Sequence, residues 1–293
     1  MSRAAVVILN WNKAELTRQC LATAKAATSE QVDWILVDNG SSPPLPDPEH
    51  SVTLLRHREN LGFAGGVNTG LRHAFAHGAQ HVLLLNNDAK LTQGALDTML
   101  ALVRENPKIG LASPTILNED AGLSIEFCGG MWRPGEYHTT ADPAQYQTWV
   151  TQFPKNIWLV GTALLVSRLL IEKIGYFDEE FFAYWEDNDI CRRASRAGFL
   201  SSMVEDAKVH HHGGKLAISP LDRPPYYYYL MARNEIRLLR KTGDIQDLRL
   251  LYWALARQWR LWQRLQGFNP QRAALRRGVI DGILGRGGRY RAT

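Results

Sequence analysis

Residues 83–88 (LLLNND) form an apolar run that ends abruptly in two amides and a carboxylate. A short, continuously apolar run is typical of a strand that is buried on both faces of a sheet. In open α/β sheets, ligands bind outside the carboxyl ends of the strands. We therefore interpret residues 81–85 as a buried strand and the three polar residues after it as part of a site.

The same pattern occurs twice nearer the start of the chain. Residues 4–9 (AAVVIL) end at Asn10-Trp11-Asn12, and residues 34–37 (WILV) end at Asp38-Asn39. A helical stretch follows the first run, and residues 52–55 form a shorter apolar run. This alternation predicts an α/β fold with a mostly parallel sheet flanked by helices. Its polar strand ends are expected to share one edge.

Residues 60–68 (NLGFAGGVN) are predicted to be a glycine-rich turn before a helix over residues 67–77. Glycines let backbone N–H groups approach a phosphate or sugar closely, and a helix N-terminus favours anions. The pattern is neither a dinucleotide-binding fingerprint nor a P-loop. A simple tight turn therefore stays open as the alternative.

Asn86, Asn87 and Asp88 offer only oxygen donors, which suit Mg²⁺ or Mn²⁺ shared with a diphosphate. The alternative is a hydrogen-bonded turn with a helix cap. His210-His211-His212 follow a further apparent strand end and precede Gly213-Gly214. They are interpreted as a metal ligand or a phosphate contact, with structural histidines as the alternative.

Residues 181–189 (FFAYWEDND) place Glu186, Asp187 and Asp189 among aromatic side chains. Neighbouring negative charges and apolar walls raise carboxyl pKa values, which can make a carboxylate a general base. An acidic first turn of the following helix is the alternative. Residues 158–166 (WLVGTALLV) are predicted to be another buried strand, whereas residues 118–156 show no clear periodicity.

The composition is that of a globular protein with one large domain or two small ones. Three scattered cysteines, no signal segment and no bilayer-spanning apolar run favour a cytosolic location. The net charge of +5 is unevenly distributed. Residues 233–293 carry 14 Arg or Lys against 4 Asp or Glu, so a basic tail follows a mildly acidic body. No nucleic-acid recognition motif accompanies this charge, so we expect no nucleic-acid partner.

Taken in order, these motifs resemble the family 2 glycosyltransferases of GT-A fold, in particular the rhamnosyltransferase-like branch. The resemblance covers residues 3–241 and includes the tyrosine-rich stretch before Arg233-Asn234. It implies a catalytic domain over residues 1–241, with a nucleotide-sugar half (1–117) and an acceptor half (118–241). Residues 242–293 would then be a basic helical extension, with residues 285–293 predicted to be disordered.

The resemblance also implies roles for individual residues. Asp187 matches the catalytic base, with Glu186 beside it. Asp88 and His211 match ligands of a divalent cation, Mn²⁺ or Mg²⁺, with His210 or His212 as alternatives to His211. The implied nucleotide-sugar site consists of Asn10, Trp11, Asn12, Asp38, Asn39, Gly62, Phe63, Asn68, Asn86, Asn87 and Arg233. The expected acceptor side consists of Gly161, Thr162 and Trp185. The small residues Gly161, Thr162 and Ala163 would leave room there for a sugar, which is a hypothesis from their chemistry.

The implied reaction is inverting transfer from a nucleoside diphosphate sugar to a glycan or lipid-linked glycan hydroxyl, as in cell-surface polysaccharide synthesis. The donor is expected to be dTDP-rhamnose, with UDP sugars next. One departure is Asn86, which replaces the first acid of the family's D-x-D element and weakens the case for a metal. A nucleotidyltransferase would need a glycine-rich basic loop that residues 10–15 do not supply. A catalytically silent nucleotide- or glycan-binding protein would not need the carboxylate cluster.

The basic tail combines arginines with Trp and Leu at helical spacing. Such a helix can lie on anionic lipid, which would give peripheral contact with the inner face of the membrane. It can equally pack on the catalytic domain with its basic face in solvent. Both interpretations stay open from the sequence.

Overall fold

The computed structural model describes residues 3–133, 136–212 and 223–290 of the 293-residue chain. The strands are β1 (Ala4–Asn10), β2 (Val32–Asp38), β3 (Val52–Arg56), β4 (His81–Asn86), β5 (Ala89–Leu91), β6 (Ile109–Asn118), β7 (Ser124–Phe127), β8 (Gly129–Arg133), β9 (Glu136–Thr140), β10 (Ile157–Trp158), β11 (Ala163–Ser167) and β12 (Leu200–His211). The helices are α1 (Ala14–Ala27), α2 (Gly62–Ala76), α3 (Ala95–Glu105), α4 (Pro143–Gln152), α5 (Arg168–Ile174), α6 (Glu186–Arg196), α7 (Pro225–Thr242), α8 (Leu248–Arg264) and α9 (Asn269–Ile283).

The central sheet has the strand order β3-β2-β1-β4-β11-β6-β12-β5, with β7 added to β6. The first four strands in this order pair in parallel, as the apolar runs predicted. Beyond β4 the sheet is mixed, because β11 pairs antiparallel with both β4 and β6. The predicted α/β class is confirmed, with its purely parallel part confined to the amino-terminal strands.

The register of these parallel strands aligns their polar ends. Asn10 at the end of β1 pairs with Asp38 at the end of β2, and Leu9 pairs with Asn86 at the end of β4. The expectation that the polar strand ends share one sheet edge is therefore confirmed. The apolar residues before them are the buried centre of the core.

The glycine-rich stretch is helix rather than turn, because α2 begins at Gly62. Gly66 packs against Leu9 of β1, and Gly70 packs against Val7, so closely that an added Cβ would collide with either side chain. The predicted turn is wrong from Gly62 onward. The glycines let α2 pack closely on the sheet. A glycine-rich sequence does not distinguish this use from a turn.

Residues 158–166 were also predicted as one strand, and this is wrong. Strand β10 belongs to a small second sheet with β8 and β9, and it ends at Trp158. Strand β11 of the central sheet begins only at Ala163. The residues between them bend the chain from one sheet to the other. This bend carries Gly161 and Thr162 to the polar edge of the central sheet, where Asn86 N–H donates to Thr162 O at 2.9 Å.

The carboxyl-terminal helices α7, α8 and α9 pack around Tyr228, Ala232, Leu265 and Leu275. The chain after α9 turns back, and Gly288 N–H donates to Glu180 O at 2.8 Å. Residues 285–290 are thus bonded to the body of the molecule, contrary to the predicted disorder. Residues 291–293 and Gly213-Gly214 lie outside the described residues. Within the described ranges, no helix is long and apolar enough to cross a membrane.

Candidate active site

Four polar side chains form a continuous hydrogen-bonded row along the sheet edge. Asn10 Nδ2 donates to Asp38 Oδ1 at 3.3 Å, and Asn10 Oδ1 accepts from the Thr17 hydroxyl at 2.8 Å. The Thr17 oxygen in turn accepts from Asn87 Nδ2 at 3.0 Å. The ends of β1, β2 and β4 are therefore connected through one helix residue.

The second strand end is fixed by its own loop. Asp38 accepts hydrogen bonds from the backbone N–H groups of Ser41 and Leu45. Burial raises the pKa of Asp38, but the hydrogen bonds from Ser41, Leu45 and Asn10 outweigh that effect and leave the pKa below its usual value. Asp38 is therefore an ionised acceptor that is held in one orientation. Such a group can recognise a nucleoside N–H or hydroxyl.

Two neighbouring residues complete this end of the site. Asn39 Nδ2 donates to Gly62 O at 2.9 Å, so the second strand end is attached to the start of α2. Trp11 is an exposed aromatic, and Asn12 has a φ of 55° with its side-chain oxygen accepting from Ser42 N–H. An exposed ring beside buried hydrogen-bonding groups can stack on a nucleobase.

Asp88 and His211 face each other across the antiparallel pair of β5 and β12. Asp88 Oδ1 lies 3.5 Å from His211 Nε2 and is buried without a hydrogen-bond partner among the described residues. His211 Nδ1 lies 3.1 Å from Glu126 Oε2. Burial lowers the pKa of His211, but the negative charges of Asp88 and Glu126 outweigh it and raise the pKa above its usual value.

The neighbouring histidines are placed differently. His212 donates its backbone N–H to Asp88 O at 2.9 Å, while its ring lies 3.1 Å from Asp120. His210 pairs with Lys90 on β5. Of the three predicted candidates, His211 is the one whose ring nitrogen faces the Asp88 carboxylate. In the part of the chain that the structure describes, no group of three His, Cys, Asp or Glu side chains is arranged to hold a metal by itself.

The carboxylates of the acidic cluster have three different environments. Glu186 is buried at the start of α6, and burial, reinforced by the Asp187 charge, raises its pKa well above the usual value. Asp189 is buried in ion pairs with Arg193 at 2.8 Å and Lys241 at 2.7 Å. It is therefore a structural residue, in accord with the acidic first turn of α6.

Asp187 lies against the bend that follows β10. Its Oδ1 accepts from the backbone N–H of Asn188 at 2.8 Å, and its Oδ2 lies 3.4 Å from Gly161 N, which donates to it. The next residue, Thr162, accepts from the backbone of Asn86. Two adjacent residues thus connect the Asp187 carboxylate to the end of β4.

The loop before this carboxylate has a strained backbone. Phe182, Tyr184 and Trp185 have φ values of 64°, 69° and 73°, a region that residues with a Cβ rarely occupy. Such conformations cost on the order of 1–3 kcal/mol each and persist where the surroundings enforce them. Trp185 packs edge-on against Tyr137, with ring centroids 4.8 Å apart.

Arg233 lies away from the strand ends. The side chain is fully buried, and its guanidinium donates to the backbone carbonyls of Phe181, Glu180 and Gly288. Asn234 Nδ2 lies 2.8–2.9 Å from three carbonyl oxygens of the same loop, those of Phe181, Ala183 and Tyr184. The geometry gives Arg233 loop contacts in place of the nucleotide contact that the resemblance implied.

Three residues of α2 were also assigned to the nucleotide-sugar site. Gly62 lies directly beneath the Phe182 carbonyl, where an added Cβ would collide. Asn68 is buried and bonds to the backbone of Phe177 on both sides of its amide. Phe63 lies so close to Gly161 that a Cβ added to this glycine would be 3.2 Å from the Phe63 ring. Gly62 therefore contacts both the end of β2 and the loop before Asp187, Phe63 lies at the bend, and Asn68 is held by the backbone of Phe177.

Three residues of this region escaped prediction from the sequence: Thr17, Glu126 and Asn234 as a loop-binding residue. Thr17 sits within a helical pattern that gives no hint of its two polar partners. Glu126 falls in the stretch without periodicity. Asn234 stood in the sequence as part of a motif, but its contacts depend on a loop 50 residues earlier.

The arrangement combines a polar row at the strand ends, a carboxylate–imidazole pair and a carboxylate that is fixed by backbone donors. Comparison with known proteins shows which family has this fold. The family described as "Glycosyl transferase family 2" matches residues 5–175, more than half of the chain. The chain belongs to that family. It is a glycosyltransferase, and the rhamnosyltransferase-like resemblance is confirmed by its relatives.

One relative is the N-acetylglucosaminyl-diphospho-decaprenol L-rhamnosyltransferase of Mycobacterium tuberculosis, 28% identical over 71% of this glycosyltransferase and 75% of the relative. Another is the dTDP-rhamnosyl transferase RfbF of Shigella flexneri, 25% identical over 71% of each chain. A solved structure with the same fold is a mannosyltransferase from Pyrobaculum calidifontis in complex with GDP-Man and Mn²⁺. It is 15% identical with a TM-score of 0.57, covering 96% of this chain and 87% of that one. The predicted GT-A fold is confirmed.

Proposed function

We propose that this glycosyltransferase catalyses inverting transfer of a sugar, rhamnose from dTDP-rhamnose, to a hydroxyl of a lipid-linked glycan. The observation that carries the mechanism is the connection of Asn86 to Asp187 through Thr162 and Gly161. Through this connection, the bend at residues 161–162 contacts both the end of β4, where the donor would bind, and the Asp187 carboxylate. That positioning favours a single-displacement reaction.

In this mechanism Asn10, Asp38 and Asn39 bind the nucleoside, with Trp11 against the base. Asp187 accepts the proton of the acceptor hydroxyl. The acceptor oxygen forms its bond to the anomeric carbon on the face opposite the departing diphosphate, whose bond to that carbon breaks. No covalent sugar intermediate forms, so the reaction needs no nucleophilic side chain.

Asp88 and His211 fit a divalent cation, Mn²⁺ or Mg²⁺. The fit rests on a buried carboxylate oxygen without a hydrogen-bond partner that faces an imidazole nitrogen, both of which are ligand types for such ions. The mannosyltransferase of the same fold holds Mn²⁺. Asp88 and His211 would hold the cation, in keeping with the uncharged amide at Asn86. A bound cation would neutralise charge on the departing diphosphate.

The donor and acceptor assignments draw on the relatives. One is named for dTDP-rhamnosyl transfer and another for an acceptor that is a diphospho-decaprenol glycan. We assign Gly161, Thr162 and Trp185 to the acceptor side, because Gly161 N–H donates to the Asp187 carboxylate and Trp185 directly precedes α6, which carries Asp187. The indole N–H of Trp185 is buried and has no partner among the described residues, so an acceptor oxygen could accept from it.

The test of the base is Asp187→Asn, assayed for sugar transfer and for nucleotide binding. We expect turnover to fall by about 10²–10⁴-fold while nucleotide affinity is retained, because the amide keeps the shape of the carboxylate and loses its basicity. Asp189→Asn is the control, since its carboxylate serves ion pairs. It should lower the melting temperature and retain most of the turnover. Wild-type turnover in Asp187→Asn would exclude that carboxylate as the base.

The donor is tested by thermal unfolding with UDP, dTDP, GDP and CMP, each with Mn²⁺, Mg²⁺ or no metal. A ligand at about 100 times its dissociation constant stabilises a protein by about 2.7 kcal/mol. We expect the largest, metal-dependent stabilisation with dTDP. A larger effect of UDP would reassign the donor to UDP sugars, and no stabilisation by any nucleotide would count against the transferase mechanism at this site.

A further inference from the structure

Helix α8 presents a broad exposed face that the catalytic chemistry does not use. Its exposed apolar residues are Leu248, Tyr252, Trp253 and Trp259, with exposed fractions of 77%, 65%, 53% and 56%. Contiguous exposed aromatic and aliphatic surface on a soluble domain marks an interaction site more often than chance. We call these residues, with the arginines described below, the α8 face.

The α8 face cannot turn inward, because the opposite side of the helix is already packed. Ala254 and Gln258 are buried against the other helices. Gln258 Nε2 donates to the buried Glu235 of α7 at 2.5 Å, and Arg257 forms an ion pair with the same carboxylate. Of the two interpretations of the basic tail, packing on the rest of the protein is observed, and contact with lipid stays a prediction. The helix packs on its neighbours and still exposes a second apolar face.

The charge of the α8 face has one sign. Helix α8 contains four arginines and no acidic residue. Arg249, Arg260 and Arg264 are exposed and form no ion pair within the described ranges of the chain. The arginines are interleaved with the exposed aromatic side chains at helical spacing, so cations and rings share the surface.

We propose that the α8 face binds the surface of an anionic lipid bilayer. Tyr and Trp rings favour the boundary between headgroups and acyl chains, and unpaired arginines favour phosphate headgroups at the same depth. A second copy of the chain fits less well, because a two-fold contact through this face would set arginines against arginines. The inference goes beyond sugar transfer and does not depend on it.

The experiment is flotation of the full-length protein with vesicles of phosphatidylcholine, alone or mixed with phosphatidylglycerol. We expect binding to the mixed vesicles that weakens as salt is raised, with little binding to phosphatidylcholine alone. The triple variant Arg249→Gln/Arg260→Gln/Arg264→Gln should lose about fivefold in affinity per arginine, or about a hundredfold in all. Equal binding to both vesicle types would overturn the proposal.

A second variant tests the rings separately. Tyr252→Ser/Trp253→Ser should lose vesicle binding and keep the melting temperature, since both side chains lie outside the packed side of α8. The matched control is Leu169→Ser/Lys173→Gln, which removes an exposed apolar residue and an exposed cation from α5. The control should bind like wild type. Unchanged vesicle binding in either α8 variant, or loss of a dimer in its place, would overturn the proposal.

Discussion

Glu186 and Asp187 are adjacent carboxyl groups in unlike surroundings. Glu186 is buried at the start of α6 with a raised pKa, whereas Asp187 is oriented by donors from Asn188 and Gly161. Enzymes commonly separate the roles of two carboxyl groups through such differences in environment. We infer that Glu186 carries a proton more readily than a solvated glutamate, while Asp187 meets the substrate.

This difference predicts a pH-dependent stability for Glu186→Gln. The folded-state pKa of Glu186 lies above the unfolded value of 4.5, so just above that pH the folded protein holds more protons than the unfolded chain. The contribution of Glu186 to the free energy of unfolding is therefore fully present below pH 4.5 and is lost as pH rises through the folded pKa. The neutral amide in the variant avoids this loss.

We expect the melting temperature of Glu186→Gln, relative to wild type, to improve as pH increases from acidic to neutral. Thermal unfolding over that pH range is the measurement. Glu172→Gln, at an exposed position of α5, is the control and should show no such trend. A constant difference between Glu186→Gln and wild type would contradict a raised pKa.

Glu126 acts on the candidate cation site through His211. A carboxylate on the far nitrogen of a ligating imidazole fixes the ring and increases its basicity, and its removal costs about 10–100-fold in metal affinity. Glu126→Gln should therefore weaken Mn²⁺ binding by that amount, measured by calorimetry with dTDP present. Glu119→Gln is the control, because Glu119 pairs with Lys90. Equal Mn²⁺ affinity in both variants would remove Glu126 from the site.

The sequence pointed to Asp88 and to the three histidines because each group follows an apolar strand, and the family resemblance favoured His211 among them. Glu126 carried no comparable signal. Its position depends on β7 pairing antiparallel with β6 while β12 pairs with the other side of β6. Long-range pairing of this kind is not encoded in any local spacing.

At the scale of elements, the loop of residues 182–185 is held by its neighbours. Asn234 of α7 lies against two of the loop's carbonyl oxygens, those of Ala183 and Tyr184, and against that of Phe181 just before it. Ala64 N–H of α2 donates to the Phe182 carbonyl at 3.2 Å. These contacts hold a backbone that the residues themselves disfavour. The strain is therefore located directly before the two carboxyl groups of the site, where it fixes their direction.

Gly62→Ala tests the contact between α2 and this loop. The new Cβ would collide with the Phe182 carbonyl, and Gly62 also has a φ of 77°. We expect a loss of stability well above the roughly 1–2 kcal/mol of left-handed strain alone, together with a large fall in turnover. Gly78→Ala is matched in φ, at 93°, with open space around it, and should lose only the strain energy. Equal melting temperatures and turnover in the two variants would contradict the contact.

Prediction of strands and helices from the sequence succeeded where both the spacing of apolar residues and the length of the run indicated the same element. The strands β1, β2, β3 and β4 and the alternation with helices follow from continuous apolar runs. The prediction failed where the same residue composition is compatible with two different structures. Glycines between residues 62 and 70 favour a turn, but here they bring a helix close to β1. Residues 158–166 are uniformly apolar although the chain bends within them, because both halves are buried in different sheets.

At the scale of the whole molecule, the carboxyl-terminal segment supports the candidate active site. The buried guanidinium of Arg233 binds the carbonyls of Glu180 and Phe181, directly before the loop of residues 182–185, and also the Gly288 carbonyl, so one side chain joins the two segments. Gly288 N–H returns a hydrogen bond to Glu180. The Tyr290 ring packs on Tyr229 of α7, with centroids 4.9 Å apart. Arg289 and Tyr290 also line a cleft of about 630 Å³ beside Phe182.

Removal of this segment should therefore affect catalysis from a distance. A chain that ends at Gly285 loses the Gly288 contacts and leaves part of the buried Arg233 guanidinium without an acceptor, at a cost of about 1–3 kcal/mol or more for a charged group. We expect a lower melting temperature and a fall in turnover that exceeds the fall in nucleotide affinity. The nucleoside contacts lie on β1 and β2, whereas Asp187 follows the loop that Arg233 holds.

The measurement compares the chain that ends at Gly285 with one that ends at Tyr290, so that residues 286–290 alone account for the difference. Both are assayed for thermal unfolding, nucleotide binding and turnover at a temperature where both are folded. A selective loss of turnover in the shorter chain supports a positioning role, because a general loss of stability would lower nucleotide binding as well. Equal turnover in the two chains would show that the loop of residues 182–185 keeps its strained backbone without the carboxyl-terminal segment.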